Sequence, residues 1–216
     1  LKTLSARLLQ LEKQESDGAE SPAPAIVWKD AQTLDSESAA ASFLSALPAD
    51  ARVALLMQES GFSIAVENGV QAVIPFAQGL LGEGLDPLSA AKALEPLLTG
   101  SRRLILFNAK RLKTELAPWN LSVSAPFDDD QIMQYLIAPQ SGKYEAPENA
   151  AALFTRTLSD EQTLNEQEMT RLYREIELPL LDTLYAMERD GFLVDRGELA
   201  RLGAQYDAQI AGLKEE

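Results

Sequence analysis

Two places in the sequence bring carboxylates to positions where they could bind a metal ion. Glu59 follows the apolar run Val53–Met57, so a buried strand would present this carboxylate at its end. Asp128–Asp130 stand together just before the apolar-periodic stretch Gln131–Ala138. Oxygen ligands of this kind suit hard cations such as Mg²⁺ or Mn²⁺. Both places therefore allow metal-dependent chemistry, provided that further ligands fold into reach.

Each place also has an explanation that needs no metal. The three aspartates would cap and stabilise the positive N-terminal end of a helix, and we favour this explanation over metal binding. Glu59 would be an acidic strand end that faces solvent. The choice for Glu59 depends on whether the rest of the sequence supplies partner carboxylates.

The composition narrows the chemistry further. The 216 residues include no cysteine and no histidine. Disulfides and thiolate zinc sites are therefore excluded, and so are the commonest metal ligand and the usual general base near neutral pH. The remaining options are carboxylates with a hard cation, a Lys or Tyr, or a serine with a base other than histidine.

Charge and hydropathy bear on partners and location. The net charge is −14, from 33 acidic and 19 basic residues. An acidic surface repels phosphate backbones, which argues against strong nucleic-acid binding by this chain alone. No apolar run approaches bilayer length, and the N-terminus is too charged for a secretory signal. We therefore expect a cytoplasmic monomer with no membrane partner.

The hydrophobic pattern predicts an α/β layer with a mixed sheet over residues 25–138. Asn68-Gly69 predicts a hairpin, because both positions tolerate positive φ, and a hairpin makes its two strands antiparallel. Residues 139–163 are predicted to be mainly loop, with a short helix near Glu148–Phe154. The predicted strands are Ala25–Lys29, Arg52–Met57, Phe62–Val66, Val70–Phe76 and Arg103–Phe107, and the predicted helices are 1–14 (followed by a linker), Ser36–Leu47, Pro87–Leu98, 109–117 and 128–138.

The C-terminal part of the sequence is helical in pattern. An apolar stripe over Leu172–Met187 predicts a core-facing helix that is kinked or broken at Pro179. Gly191 suits the left-handed (αL) position that ends a helix, and Asp195–Glu198 predicts a capping box for a final helix. That last helix has no evident C-cap, so we expect the sequence to be part of a longer protein.

Two further groups of side chains have both a functional and a structural explanation. Five basic residues could contact DNA, but a solvated face beside a strand is favoured because the whole chain is acidic. Trp28 and Trp119 are assigned to packing rather than to base stacking. The basic residues are Arg102, Arg103, Lys110, Arg111 and Lys113.

The C-terminal helices carry a resemblance to a known family. Three short motifs, Glu177–Leu180 (Glu-Leu-Pro-Leu), Met187–Gly191 (Met-Glu-Arg-Asp-Gly) and Val194-Asp195, resemble the start of the polymerase region in family A DNA polymerases of the bacterial DNA polymerase I type. In that family these motifs lead into the helices of the thumb. The resemblance is dense over the last forty or so residues.

The preceding residues are similar, less densely, to the 3′–5′ exonuclease domain of the same family. The hairpin segment 68–76 and the segment 106–139 carry this similarity. It implies a ribonuclease H-like α/β fold, with a mixed sheet flanked by helices, followed by the helical start of a polymerase thumb. The implied division is an N-terminal helix and linker at 1–24, a degenerate exonuclease-like domain at 25–163 and the first thumb helices at 164–216.

Active exonucleases of this family hold two divalent metals with carboxylates from three motifs. The first motif, Asp-x-Glu, falls on Met57-Gln58-Glu59, where the aspartate is replaced by methionine. The second, Asn-x-x-x-Asp, falls on Asn108 to Leu112, where the carboxylate is replaced by leucine. Two metal ions need several carboxylate oxygens, so the resemblance implies that Glu59 is a remnant facing solvent. The degenerate motif positions are Met57, Glu59, Asn108 and Leu112.

The third motif, Tyr-x-x-x-Asp, has no counterpart in the sequence. Tyr144 and Tyr173 are followed four residues later by Glu148 and Glu177 instead of aspartate. The interval 147–169, where the family has the helix that carries this motif, looks shortened. We therefore predict no catalytic and no metal-binding residue in this chain.

The resemblance implies a parent protein that joins deoxynucleotides to a primer on a DNA template, using Mg²⁺, in replication and repair. The catalytic palm and fingers would follow Glu216, so we assign no polymerase catalysis to any residue here and expect no cofactor in this chain. The expected partners are the remaining polymerase domain and primer-template DNA. Within this chain we expect an inactive exonuclease-like domain that serves as a structural platform.

Two alternatives remain open at the level of sequence. One is a residual metal-dependent exonuclease on single-stranded DNA, using Glu59, Asn108 and a ligand from Asp128–Asp130. The other is a free-standing acidic interaction module. The absent C-cap of the last helix argues against the second alternative.

Overall fold

A six-stranded mixed sheet forms the centre of the computed structural model, which describes residues 26–77 and 84–215. The predicted N-terminal helix at 1–14 and its linker lie outside the described residues. The strand order across the sheet is β1-β4-β3-β2-β5-β6. The strands are β1 (Gln32–Thr33), β2 (Val53–Gln58), β3 (Gly61–Val66), β4 (Gln71–Pro75), β5 (Leu104–Leu106) and β6 (Phe127–Asp129).

Strand directions create one edge at which several strand ends meet. Strands β2, β3 and β4 form an antiparallel meander, whereas β5 is parallel to β2 and β6 is parallel to β5. The carboxyl ends of β2, β5 and β6 therefore lie at the same side of the sheet, here called the carboxyl edge. The mixed sheet flanked by helices confirms the predicted α/β class with a mixed sheet.

The hairpin between β3 and β4 confirms the strongest local prediction, with one difference in geometry. Gly69 has φ +83°, but Asn68 does not adopt positive φ. The amide of Gly69 donates to the carbonyl of Val66 at 2.9 Å, and the amide of Val66 donates to the carbonyl of Val70 at 2.8 Å. This is the three-residue turn in which one glycine supplies the left-handed position.

Helices cover both faces of the sheet and continue beyond it. A three-residue 3₁₀ turn, Ala117–Trp119, and a π-helical turn, Tyr173–Glu177, add to the α-helices. The helices are α1 (Glu37–Ala46), α2 (Pro87–Ala93), α3 (Glu95–Leu98), α4 (Ala109–Leu116), α5 (Asp130–Ile137), α6 (Ala150–Glu166), α7 (Thr170–Leu172), α8 (Leu178–Asp190) and α9 (Arg196–Glu215). None of the helices within the described ranges is long and apolar enough to cross a membrane.

The core has two layers, one on each face of the sheet. Along β2, Val53 and Leu55 point to the layer made with α1 to α4, whereas Ala54 and Leu56 point to α6. Successive strand side chains alternate between faces, so a strand buried on both faces reads as a continuous apolar run. This explains why β2 was easy to predict from the sequence.

Two strand predictions were wrong. Residues 26–29 are not in a strand; Trp28 instead packs edge-on against Phe154 with ring centroids 5.7 Å apart, and the first strand begins at Gln32. Strand β6 was missed because aspartate disfavours strands, and Asp128 and Asp129 were assigned to a helix start. Pairing of β6 with β5 outweighs that local preference.

Two helix predictions were also wrong. The predicted helix 87–98 is interrupted at Leu94, because Pro96 lacks an amide hydrogen and occupies the first turn of α3. The predicted loop at 139–163 contains most of α6, a 17-residue helix that crosses the predicted domain boundary at 163/164. Leu153 and Phe154 anchor α6 on the sheet, and such packing stabilises a helix that its threonines and serines disfavour.

A kink or a break was predicted at Pro179, and the helical backbone continues through this proline without a break. A π-helical turn precedes the proline, and the amide of Leu178 donates five residues back to the carbonyl of Tyr173. Gly191 ends α8 with φ +62°, but its ψ of −164° is not that of the predicted left-handed helical position. The Asp195 carboxylate accepts the amide hydrogen of Glu198 at 3.0 Å, which confirms the cap of α9.

The prediction that the apolar stripe faces the core was wrong. Ile176 is 57% exposed and Met187 is 64% exposed, and Leu180 and Leu184 are also exposed. Leu181 is the buried apolar side chain of α8. Two ion pairs, Lys110–Glu188 and Lys113–Asp182, join α4 to α8, whereas the stripe residues named above stay exposed among the described residues.

Candidate functional site

The carboxyl edge brings three of the four degenerate motif positions together. Met57, Asn108 and Leu112 line one small pocket of about 70 Å³ at the ends of β2 and β5. Glu59 lies beyond the end of β2, in the tight turn to β3, and is exposed to solvent. The other pocket residues are Leu55, Leu56, Phe107, Arg111, Glu115 and Ala146.

Apolar side chains fill the place where the family motifs put carboxylates. Met57 packs against the main core layer, and Leu112 is 6% exposed. Asn108 adopts a left-handed backbone (φ +55°) and caps α4, because its side-chain oxygen accepts the amide hydrogen of Arg111 at 2.9 Å. Asn108 is thus accounted for by helix capping.

The acidic groups closest to this pocket are engaged with an arginine. The Glu115 carboxylate accepts a hydrogen bond from Arg111 at 2.7 Å. This bond, with a smaller contribution from the charge of Glu59, raises the pKa of the Arg111 guanidinium. An arginine at this position adds positive charge, which opposes the binding of a cation.

The residues present do not fit a two-metal exonuclease centre. No group of three or more Asp, Glu, His or Cys side chains within 26–77 and 84–215 is arranged to hold a metal ion. Two divalent ions require several carboxylate oxygens at about 2 Å each. We therefore derive no metal-dependent step from this pocket.

The start of α6 lies beside the end of β2, where a third motif would have to act. The side-chain amide of Gln58 donates to the carbonyl of Glu148 at 3.0 Å, and the amide of Ala150 donates to Ser63 Oγ at 3.0 Å. No tyrosine occurs in α6. Tyr144 instead packs edge-on against Tyr135 at 6.3 Å.

Asp128 forms the centre of a buried ionic network on the opposite side of β5. Its carboxylate is fully buried and accepts two hydrogen bonds from Arg103, at 2.5 and 3.0 Å. Arg52 and Arg174 each approach it to 3.5 Å. Glu161 completes the network through a two-bond pair with Arg52, at 2.8 and 2.9 Å.

Tyr173 connects this network to the C-terminal helices. Its hydroxyl accepts the amide hydrogen of Asp129 at 2.8 Å and donates to Asp128 at 3.3 Å. Burial, with the added charge of Asp128, raises the pKa of the Tyr173 phenol. The phenol is therefore a neutral structural group at physiological pH.

Asp129 holds the first turns of two helices. One carboxylate oxygen accepts the amide hydrogen of Ala109 at 2.6 Å and the other accepts that of Ile132 at 3.2 Å. Burial raises the pKa of Asp129 to about 6, although these amides, Ala109 first, favour the charged form. Both oxygens are occupied by backbone donors, so Asp129 is a helix cap, as part of the sequence prediction proposed.

Asp130 joins the start of α5 to α6 through side-chain hydrogen bonds. Its buried carboxylate accepts hydrogen bonds from Arg156 (Nε, 2.9 Å) and from Thr157 (2.9 Å). Burial raises the pKa of Asp130, whereas Arg156 and Thr157 act in the opposite direction. The sequence prediction of a simple charged helix end missed the burial of all three aspartates. The arginine partners of Asp128 and Asp130 lie 25 or more residues away along the chain.

The predicted solvated basic face is present only in part: the Arg111 side chain is 73% exposed, whereas the others are more covered. Each of the five basic side chains has an intramolecular partner, and Lys113 is only 11% exposed. Arg102 donates to the carbonyls of Leu47 and Pro48 at 2.8 Å. The remaining pairs are Arg103 with Asp128, Lys110 with Glu188, Arg111 with Glu115, and Lys113 with Asp182.

Similarity between this chain and known proteins is distant. No protein-family model matches the sequence. Among solved structures, the chain is similar to Escherichia coli RNase D, an exoribonuclease involved in structured RNA processing, with a TM-score of 0.48 and 15% sequence identity over 76% of this chain. The match covers 52% of the RNase D chain, so this chain spans about half of its length.

Proposed function

We propose that this chain is part of a family A DNA polymerase of the bacterial DNA polymerase I type, and that its exonuclease-like unit is an inactive structural platform. One observation carries the loss of activity. The strand ends that would hold the metals carry Met57 and Leu112, and Leu112 is buried among apolar side chains. The one carboxylate that lines this pocket, Glu115, is paired with Arg111, so the pocket offers too few free oxygen ligands and too little space for two hydrated cations.

The burial of the three aspartates argues against the residual-exonuclease alternative. That alternative needs Asp128–Asp130 as substitute ligands beside Asn108. Each of the three carboxylates is buried and already accepts hydrogen bonds from arginine side chains, a threonine or backbone amides. Moving any of them to a metal would leave those buried donors without partners, at a cost of about 1–3 kcal/mol for each donor.

The contacts of α4 support the platform role. The Lys113 ammonium binds Asp182 of α8 and lies over the rings of Phe127 and Tyr185, 5.0 and 5.9 Å from their centroids. Lys110 pairs with Glu188 at 2.7 Å. The helix that would carry a catalytic carboxylate in an active exonuclease thus holds α8 against the sheet domain. We propose that α8 and α9, so held, orient the rest of the polymerase.

A nuclease assay tests the loss of activity. Single-stranded DNA labelled at its 5′ end, and RNA in a second arm, would be incubated with the purified protein and Mg²⁺ or Mn²⁺. We expect no shortening from the 3′ end. Metal-dependent 3′–5′ digestion that disappears in Glu59→Ala, but persists in the matched turn variant Glu67→Ala, would contradict the proposal.

The parent and its partners need separate tests. Reading the coding sequence beyond Glu216 should reveal polymerase motifs, and a stop codon there would refute the polymerase assignment. The intact polymerase is proposed to be monomeric, to use Mg²⁺ and to bind primer-template DNA. For this chain alone we expect no measurable affinity for a primer-template duplex at physiological salt, because its net charge is −14.

A further inference from the structure

A second pocket lies between α8 and the sheet domain, and the platform role does not require it. Its volume is about 290 Å³, enough for a molecule of on the order of ten non-hydrogen atoms. It opens at the carboxyl edge between β5 and β6, where α/β sheets commonly hold ligands. Its apolar lining comes from Ile132, Leu180, Leu181 and Leu184.

The unmatched charge in this pocket is negative. Lys110 lines the pocket, but its ammonium is paired with Glu188 at 2.7 Å. Asp129 also lines it, and its carboxylate is occupied by the first amides of α4 and α5. Glu177 is half-buried in the pocket wall, and among the described residues it has no ion pair and no side-chain hydrogen bond. A cation is therefore the complementary charge.

Two tyrosines provide a surface that suits an organic cation. The rings of Tyr135 and Tyr144 meet edge-on, 6.3 Å apart at 87°. The Tyr144 hydroxyl donates to the carbonyl of Ala138 at 2.8 Å, which fixes that ring, whereas Tyr135 remains 48% exposed. The negative face of a tyrosine ring attracts ammonium groups, and leucines nearby can cover an aliphatic chain.

We propose that this pocket binds an alkylammonium group. The ammonium lies between Glu177 and the tyrosine pair, and the aliphatic chain lies along Leu180 and Leu184. Such a ligand touches both α8 and the sheet domain, so its binding also favours the docked position of α8. An anionic or a neutral ligand of the same length gains nothing from Glu177.

Titration with small probes tests this site in the intact chain. The probes are n-pentylammonium, n-pentanol and valerate. During each titration, nuclear magnetic resonance records the chemical shifts of the Tyr135 ring and of the amides of residues 177–184. We expect saturable shifts with the amine, at least ten-fold weaker binding of pentanol, and none with valerate. Equal binding of the alcohol and the amine, or no saturation with the amine at millimolar concentration, would overturn the proposal.

Variants of the pocket separate the proposed contacts. Glu177→Gln should weaken amine binding about ten-fold, and Tyr135→Ala about three-fold. The matched control Glu175→Gln, two residues from Glu177 and paired with Arg171 on the surface, should leave binding unchanged. Loss of binding in the control as well as in Glu177→Gln would mean that only overall charge matters, which would also overturn the site.

The source of the amine can be distinguished with two further probes. A free diamine such as 1,5-diaminopentane and a short peptide with one central lysine carry the same group. Binding of both shows that the pocket accepts any accessible alkylammonium, and binding of the diamine alone identifies a small-molecule site. If neither competes with n-pentylammonium, the proposed ligand class is wrong.

Discussion

Tyr173→Phe isolates a single hydroxyl that joins the C-terminal helices to the sheet domain. The hydroxyl accepts the buried amide hydrogen of Asp129 at 2.8 Å and donates to Asp128 at 3.3 Å. The ring itself is 1% exposed and packs with Met133, Leu136 and Leu164. Phenylalanine keeps these apolar contacts, so the variant removes the hydrogen bonds and little else.

Most of the stability lost in Tyr173→Phe comes from the amide of Asp129, which loses its hydrogen-bond acceptor. A buried donor left without a partner costs about 1–3 kcal/mol. Asp128 loses less, because two hydrogen bonds from Arg103 remain. We expect the free energy of unfolding to fall by about 2 kcal/mol, which for a chain of this size lowers the melting temperature by about 4–8 °C.

Urea unfolding, monitored by circular dichroism, measures the total loss in the free energy of unfolding. Hydrogen exchange shows at which amides this loss occurs. The Asp129 amide should exchange about 30-fold faster in Tyr173→Phe, if the lost energy appears at this bond. The matched control Tyr206→Phe, on an exposed tyrosine of α9, should change stability by less than about 0.5 kcal/mol. A change below about 0.5 kcal/mol in Tyr173→Phe, with the Asp129 amide still protected, would refute the reasoning.

Three further predictions concern the helix contact, the buried acid and the apolar pocket. Lys113→Met keeps the aliphatic chain but removes the ammonium group that binds α8. Hydrogen exchange at the amides of residues 178–190 should therefore become several-fold faster. The control Lys143→Met, on an exposed loop, should leave these exchange rates unchanged. Asp129 has a pKa of about 6 in the folded protein and an ordinary value of 3.8. The folded state therefore favours the protonated carboxyl group, and this contribution to stability is present below pH 3.8 and lost as the pH rises to 6. The free energy of unfolding should fall by about 3 kcal/mol over this range. A carboxyl carbon titration with a midpoint near 4 would disprove that shift, and the non-titrating Asp129→Asn should lack the corresponding pH dependence. Leu112→Asp places an unpaired carboxylate among apolar side chains. The free energy of unfolding should fall by about 3 kcal/mol, and no nuclease activity should appear. Stability equal to that of the wild type would contradict the burial of this position.

Local patterns predicted the elements whose packing their own sequence specifies. Strand β2 is a run of apolar residues buried on both faces, and the Asn68-Gly69 turn has a strong local preference. Strand β6 could not be predicted this way, because Asp128 and Asp129 disfavour a strand unless distant partners compensate them. The compensation comes from Arg103, 25 positions away, and no local signal identifies it.

The candidate site was predictable in its parts but not in its surroundings. Sequence placed Met57, Asn108 and Leu112 at family motifs, and the parallel pairing of β2 and β5 brings them to one pocket. The roles of the basic residues were not predictable, since the partner that covers Lys113, Asp182 of α8, lies far away along the chain. The apolar stripe of α8 was misjudged for a related reason: amphipathic periodicity indicates an apolar face but not which surface covers it.

Under the proposed function, the pocket beside β2 and β5 resists a return to metal binding. A single restored carboxylate, at Met57 or at Leu112, would lie in an apolar pocket beside Arg111 with too few oxygen ligands to hold a cation. Each single step toward an active centre therefore lowers stability before it can restore activity. Lys110 and Lys113 of α4 also bind α8. Substitutions in α4 that replace these lysines with metal ligands would therefore weaken the contact with α8 on which the platform depends. Under the proposed function, both effects therefore oppose the recovery of a metal site at this edge of the sheet.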